Sequence, residues 1–151
     1  MKNEKLIKFF IAFCLVFVLD QTIKHIFLNG FEWHSTCISL VLALNKGVAF
    51  SMLSFLGEYL KYIQIILIIG LVYVFIKEKI IQNHPALSGI LFAAALSNLL
   101  DRFIRDGVVD YVYWHYGFDF AIFNFADVCI DFSMLMLAYY YFFGKIPKKV
   151  A

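Results

Sequence analysis

The chain has 151 residues, a net charge of +2, and a composition that is 63% hydrophobic, with a mean hydropathy of +0.82. A chain this small is expected to form one domain (residues 1–151), and one this apolar belongs in a bilayer, which excludes a water-soluble globular fold. The charge comes from where the lysines fall, and no basic cluster with interleaved aromatics points to nucleic acid.

A bilayer core of ~30 Å takes about 20 helical residues. Four apolar stretches meet that length: residues 6–28, 59–76, 85–104 and 120–143. The N-terminus opens like a secretion signal, with Lys2, Lys5 and Lys8 before an apolar run. The run is long and lacks a small-x-small cleavage site, so an uncleaved first span is expected. That span carries Asp20 and Lys24 one helical turn apart. Charges at such depth point into a helix bundle or toward an interface.

The next connection, 29–58, has structure of its own. Ile38, Leu40, Leu42 and Leu44 alternate with Ser39, Val41, Ala43 and Asn45, a period of two that predicts a strand or two at the membrane surface. Asn45-Lys46-Gly47 is a turn signal. Residues 49–56 are apolar and end at Gly57, as in a short helix lying in the interface. The second span runs to a short link holding Lys77 and Lys79, and Pro85 suits the first turn of the third.

The third span contains Asn98, Asp101 and Arg102, spaced i, i+3, i+4. Arg102 is expected to keep Asp101 ionised as a pair at the helix end. Asp110 lies nine residues beyond Asp101, on the opposite face of an unbroken helix. Gly107 is placed to break the helix, and Val108-Val109 to anchor the segment that turns Asp110 back to the bundle. In the fourth span Asn124 and Asp127 share a face near its outer end, with Asp131 one turn deeper. As a plain helix cap, Asp127 would be favoured by the helix dipole.

Eight of the thirteen Lys and Arg fall in the N-terminal tail, the link between spans two and three, and the C-terminal tail. The positive-inside rule then puts both termini in the cytoplasm and both longer loops outside. Trp33, Tyr111, Tyr113, Trp114 and Tyr116 would form the outer aromatic belt, and Tyr139, Tyr140 and Tyr141 the inner one. Cys14, Cys37 and Cys129 are scattered and imply no exported disulfide.

Because span three runs outward and span four inward, Asp110 and Asp127 can meet at the outer surface. Two carboxylates sharing a site do not both ionise readily, so a neutral acid faces a charged base, as in an aspartic protease. The four histidines lack metal-ligand spacing, and no metal or cofactor is expected. No Gly-x-Ser-x-Gly elbow, Ser-x-x-Lys or glycine-rich phosphate loop occurs. A small four-span transporter or channel subunit is the rival class, but it would want acids near mid-membrane along a pathway. A scaffold with acids as packing glue would leave the meeting of Asp110 and Asp127 unexplained.

Four motifs together resemble the lipoprotein signal peptidase family, the type II signal peptidases of bacteria, over nearly the whole chain. They are Asp20-Gln-Thr-Ile-Lys24, Asn45-Lys-Gly47-Val-Ala49-Phe50-Ser51, Asn98-Leu-Leu-Asp101-Arg102 with Gly107-Val-Val-Asp110, and Phe123-Asn124-Phe-Ala126-Asp127. The resemblance implies an all-α protein of the bacterial inner membrane, with four transmembrane helices and a small β-rich periplasmic element. It implies an aspartyl endopeptidase with its active site facing the periplasm, cutting prolipoproteins just before a diacylglyceryl-modified cysteine. Asp110 and Asp127 match the catalytic pair. Asn45, Asn98, Arg102 and Asn124 match residues that hold the substrate backbone or orient the dyad. Asp20, Lys24, Gly47 and Asp101 match supporting positions. Membrane lipid and the prolipoprotein are the implied partners, and the chain is expected to be a monomer. Where the family usually has glycines before the Asn of the third motif, this chain has Ala93-Ala-Ala-Leu-Ser97. Leu96 and Ser97 are therefore expected to alter how lipid or peptide seats.

Overall fold

The computed structural model describes residues 2–47 and 54–143. In chain order it contains α1 (Lys2–Leu28), β1 (Trp33–His34), β2 (Ile38–Asn45), a 3-10 turn (Ser54–Leu56), α2 (Tyr59–Lys77), α3 (Ile80–Asn83), α4 (Pro85–Ile104), β3 (Val108–Trp114) and α5 (Phe125–Phe143). Helices α1, α2, α4 and α5 are long and apolar enough to cross a membrane.

Helix α4 is the hub. Over its apolar window 56% of residues are buried, against 11% for both α1 and α2. It packs on α1, α2 and α5. Its small residues explain the close approach: Ala93, Ala94 and Ser97 are fully buried, and a Cβ at Gly89 would collide with the Phe9 carbonyl of α1. Between helices in lipid, such small side chains let backbones approach and gain packing contacts. Phe75 of α2 meets Phe92 edge-on at 5.2 Å, closing the other side. The outward faces of α1 and α2 (Phe10, Leu15 and Val18; Ile66, Ile69 and Tyr73) are at least half exposed, as suits contact with acyl chains.

A three-stranded antiparallel sheet, in the order β1-β2-β3, caps one end of the bundle. Strand β2 realises the alternation of residues 38–45, and its register sets Ala43 opposite Asp110 and Asn45 opposite Val108. Strand β3 falls where only an anchoring segment was expected. Its reversal also differs from that expectation: α4 ends at Ile104, and the turn uses Asp106 in the left-handed region (φ 56°). Gly107 is required for another reason. A Cβ there would lie 2.9 Å from Leu44 Cγ and 3.1 Å from the Asn45 carbonyl, so only glycine lets β3 start against the end of β2.

Two further expectations are corrected. The stretch 120–124 does not begin the fourth helix, because Phe123 pairs with Val112 in an isolated bridge, and α5 starts at Phe125. Backbone groups spent on β3 are not available for a helical turn. Tyr111 is not a surface belt residue. It is 5% exposed, stacks on Phe27 of α1 at 4.3 Å, and its hydroxyl accepts the Phe125 N–H, tying α1, β3 and α5 together. Of the expected interface helix over 49–56, only 54–56 is described, as a single 3-10 turn; the remainder lies outside the described residues.

Candidate active site

Asp110 sits third in β3 and is almost wholly buried. Asn45 reaches it from the diagonal position on β2, on the same face of the sheet. Asn45 Nδ2 donates to Asp110 Oδ2 at 2.9 Å, while Asn45 Oδ1 accepts the Gly47 N–H at 2.9 Å. Asn124 Nδ2 donates to the other oxygen, Oδ1, at 2.7 Å.

Asp127 lies in the first turn of α5. Its Oδ2 accepts the Asn124 N–H at 3.1 Å, and Asn124 Oδ1 accepts the Asp127 N–H at 2.9 Å. This reciprocal pair is a capping box that satisfies two donors otherwise orphaned at the helix start. The helix-cap role weighed for Asp127 is therefore real, and it coexists with a place in the cleft. Asn98 Nδ2 donates to Asp127 Oδ1 at 2.9 Å. Asn124 touches both aspartates, so one amide ties the strand to the helix.

Beneath them is a buried ionic cluster. Lys24 Nζ lies 2.7 Å from Asp20 and 2.8 Å from Asp101, and donates to Asn98 Oδ1 at 2.7 Å. All three charged side chains are fully buried. Ser97 Oγ donates to Asp20 Oδ2 at 2.6 Å, and the Ala126 N–H donates to Asp20 Oδ1 at 2.9 Å. Asp101 also binds Arg105 and accepts the Val109 N–H, which fixes the start of β3. The expected Asp101–Arg102 pair does not form, because neighbours on a helix point about 100° apart. Arg102 turns instead to Gln64 Oε1 (3.1 Å) and the Gly47 carbonyl (2.5 Å). Nor does Ser97 reach a lipid or peptide seat. It points into the α1–α4 contact.

A cleft of about 460 Å³ opens beside the aspartates. Asn45, Asn98, Arg102, Asp110, Asp127 and Asp131 supply its polar side; Leu60, Ile63 and Leu67 of α2, residues 120–123, and Ile130 of α5 supply its apolar side. Such a site can take an extended peptide along its polar wall and an acyl chain along its apolar one. Burial pushes Asp110 up to about 6, the Asn45 hydrogen bond opposes that, and the charge of Asp127 adds to the rise. Burial also pushes the Tyr111 hydroxyl up, so it stays a neutral hydrogen-bonding group. Among the described residues, no group of three His, Cys, Asp or Glu side chains could hold a metal ion.

Motif spacing did not single out Gln21, Gln64 or Arg105. Gln21 Nε2 donates to Ser97 Oγ and Asp101 Oδ1. Gln64 had a signal, since a polar residue at the head of the apolar run 65–76 of α2 needs a partner.

The family model described as signal peptidase (SPase) II matches residues 12–143. A lipoprotein signal peptidase of Helicobacter pylori (strain Shi470) is 52% identical over 150 residues, covering 98% of this chain and 96% of that protein. One from Wolinella succinogenes is 53% identical over 134 residues, covering 88% and 92%. A solved bacterial membrane enzyme superposes with a TM-score of 0.77 at 27% identity, covering 95% of this chain and 92% of its own.

Proposed function

The chain belongs to the signal peptidase II family, and from that premise we propose that it is an aspartic endopeptidase in which Asp110 and Asp127 form the catalytic dyad. It is a multi-pass bacterial membrane peptidase that removes the signal peptide from prolipoproteins. One observation carries the catalytic reading: both aspartates line one cleft and Asn124 holds both, its side-chain amide donating to Asp110 and its backbone N–H to Asp127.

The chemistry follows from sharing one proton. The ionised carboxylate takes a proton from water as its oxygen attacks the scissile carbonyl carbon. The neutral carboxyl gives its proton to the carbonyl oxygen, and a tetrahedral diol forms. On collapse the carbonyl re-forms as the C–N bond breaks, the leaving nitrogen takes the proton from the former base, and a diol hydroxyl returns its proton to the other carboxylate. Asn45, Asn98 and Asn124 hold the carboxylates in place, and Arg102, at the cleft wall, contacts the substrate backbone.

The bond cut is the one before a cysteine carrying diacylglycerol, and the lipid enters sideways from the bilayer between α2 and α5. The apolar wall of Leu60, Ile63 and Leu67 supports this, because each buried methylene contributes ~0.8 kcal/mol. Both termini lie in the cytoplasm and the cleft faces the periplasm, a reading that the lysine bias supports. The chain acts as a monomer. A four-span transporter or channel subunit gains no support from relatives named as peptidases.

Matched peptides test the reading, one with diacylglycerol on its cysteine and one bare. Only the lipidated peptide should be cleaved by the purified enzyme. Equal cleavage at equal membrane concentration would return the protein to the class of general membrane proteases.

A further inference from the structure

Four N–H donors serve the four carboxylate oxygens of the dyad, and their orientation is fixed. Asn45 Oδ1 is engaged by the Gly47 N–H and Asn124 Oδ1 by the Asp127 N–H, so the amide nitrogens of both face Asp110. Asn98 is fixed more strongly. Lysine has no acceptor, so Lys24 must face Asn98 Oδ1, and the Asn98 nitrogen then faces Asp127. The two aspartates thus differ in what stands behind their hydrogen bonds. Asp110 receives two amides anchored on a backbone N–H. Asp127 receives one amide backed by a buried ammonium and one backbone N–H at the start of a helix, where the dipole favours negative charge.

We infer that Lys24 is a positioning residue that acts through Asn98 to hold Asp127 as the resting carboxylate, which makes Asp127 the base toward water and Asp110 the acid toward the scissile carbonyl. This rests on the dyad reading above and adds the direction of proton flow to it. Water gives its proton to Asp127, Asp110 gives its proton to the carbonyl oxygen, and on collapse the leaving amine takes the proton now on Asp127 while a diol hydroxyl returns one to Asp110.

Other charges nearby do not make this distinction. From α4, Arg102 acts on both aspartates, and Asp101 is neutralised by Lys24 and Arg105. From α1, Asp20 is paired with Lys24 and opposes it at Asp127, and the charge of Lys24 also reaches Asp110, so what distinguishes Asp127 is the hydrogen bond through Asn98. From β3, Asp110 faces Asp127, and Tyr111 is bonded to the Phe125 N–H. On α5 itself, Asp131 lines the cleft one turn away. The Lys24–Asn98 relay is the asymmetric element: it donates directly to Asp127 and reaches Asp110 only at second hand, through the Asn124 amide that also donates to Asn98 Oδ1 at 3.2 Å.

The test is the pH profile of kcat/KM on a lipidated peptide, using the full chain. Its acidic limb reports the base and its alkaline limb the acid. The double variant Asp20→Asn/Lys24→Met removes the buried charges together and leaves Asp101 on Arg105. Asn98→Ser cuts the relay with the ions intact, and stands in if the double variant does not fold. In either, the acidic limb should move up by about half a pH unit or more, in the double variant through loss of the Lys24 charge less the opposing charge of Asp20, and in Asn98→Ser through loss of a hydrogen bond to the charged form, while the alkaline limb moves less. Lower activity at every pH with both limbs unmoved would mean Lys24 is merely structural, and would overturn the inference. Movement of the alkaline limb alone would overturn it by reversing the two roles. Asp110→Asn and Asp127→Asn are run alongside. If either keeps near-normal turnover, the dyad itself fails whatever the limbs do; if both are inactive, only the assignment of roles is at stake.

Discussion

Two groups of carboxylates lie side by side in this bundle, and the protein surrounds them oppositely. Asp20 and Asp101 are fully buried and each touches Lys24; Asp101 also has Arg105. Asp110 and Asp127 receive only amide and backbone N–H donors, and they face open space. A buried acid paired with a cation has a settled charge and serves as structure. An acid held by neutral donors keeps its proton exchangeable, as acid–base chemistry requires. The comparison teaches that burial alone does not leave an acid free to exchange its proton; the charge of its partner decides.

The largest effect should come from the neutral-donor pair. Asp110→Asn or Asp127→Asn should each lower cleavage by about 10³-fold or more while the protein still inserts and folds. The double variant should be scarcely worse, because the two act as a unit. Turnover assays beside a folding probe check this.

The ion-paired group should fail in the opposite way. Lys24→Met alone strands buried charge and should destabilise the protein by about 3–5 kcal/mol, as breaking one partner of a buried pair does. Thermal unfolding in detergent should show it. If Lys24→Met melted like wild type but lost activity, the two groups would not be separable.

A smaller effect concerns pH. The Asp110 carboxyl is raised from 3.8 to about 6, first by burial. A raised acid contributes its stability in full below its unfolded value and loses it as pH rises through the folded one. Relative to Asp110→Asn, wild type should therefore lose thermal stability between about pH 4 and pH 6. A constant difference between the two melting temperatures across that range would contradict this. The smallest effect belongs to Asp131→Asn. Asp131 lines the cleft one turn below Asp127, where it does not meet the attacking water, and the loss in kcat/KM should stay under about tenfold, or ~1.4 kcal/mol.

Much of this arrangement was legible before the fold. Hydropathy located the spans, period-two alternation located β2, and the spacing of Asp110 and Asp127 on segments of opposite direction brought them to one place. What was not legible depended on partners far away in the chain. Strand β3 pairs with β2, more than sixty residues earlier, and Val108-Val109-Asp110-Tyr111 has no polar alternation because both its faces are buried. Asp101 and Arg102 read as a pair because they are adjacent, but helix geometry sends them to different neighbours. Tyr111 read as a belt residue because composition cannot reveal that Phe27 covers it.

On the proposed dyad, the capping box at Asn124 and Asp127 sets the altitude of the cut. A helix advances 1.5 Å and turns 100° per residue, so a start one residue earlier or later would lift Asp127 and swing it out of the cleft. The reciprocal bonds lock that start. The same carboxylate thus begins the helix and fixes its own height along the bundle axis, as a surveyor's mark does. Where the scissile bond must sit is then a matter of depth before it is a matter of sequence.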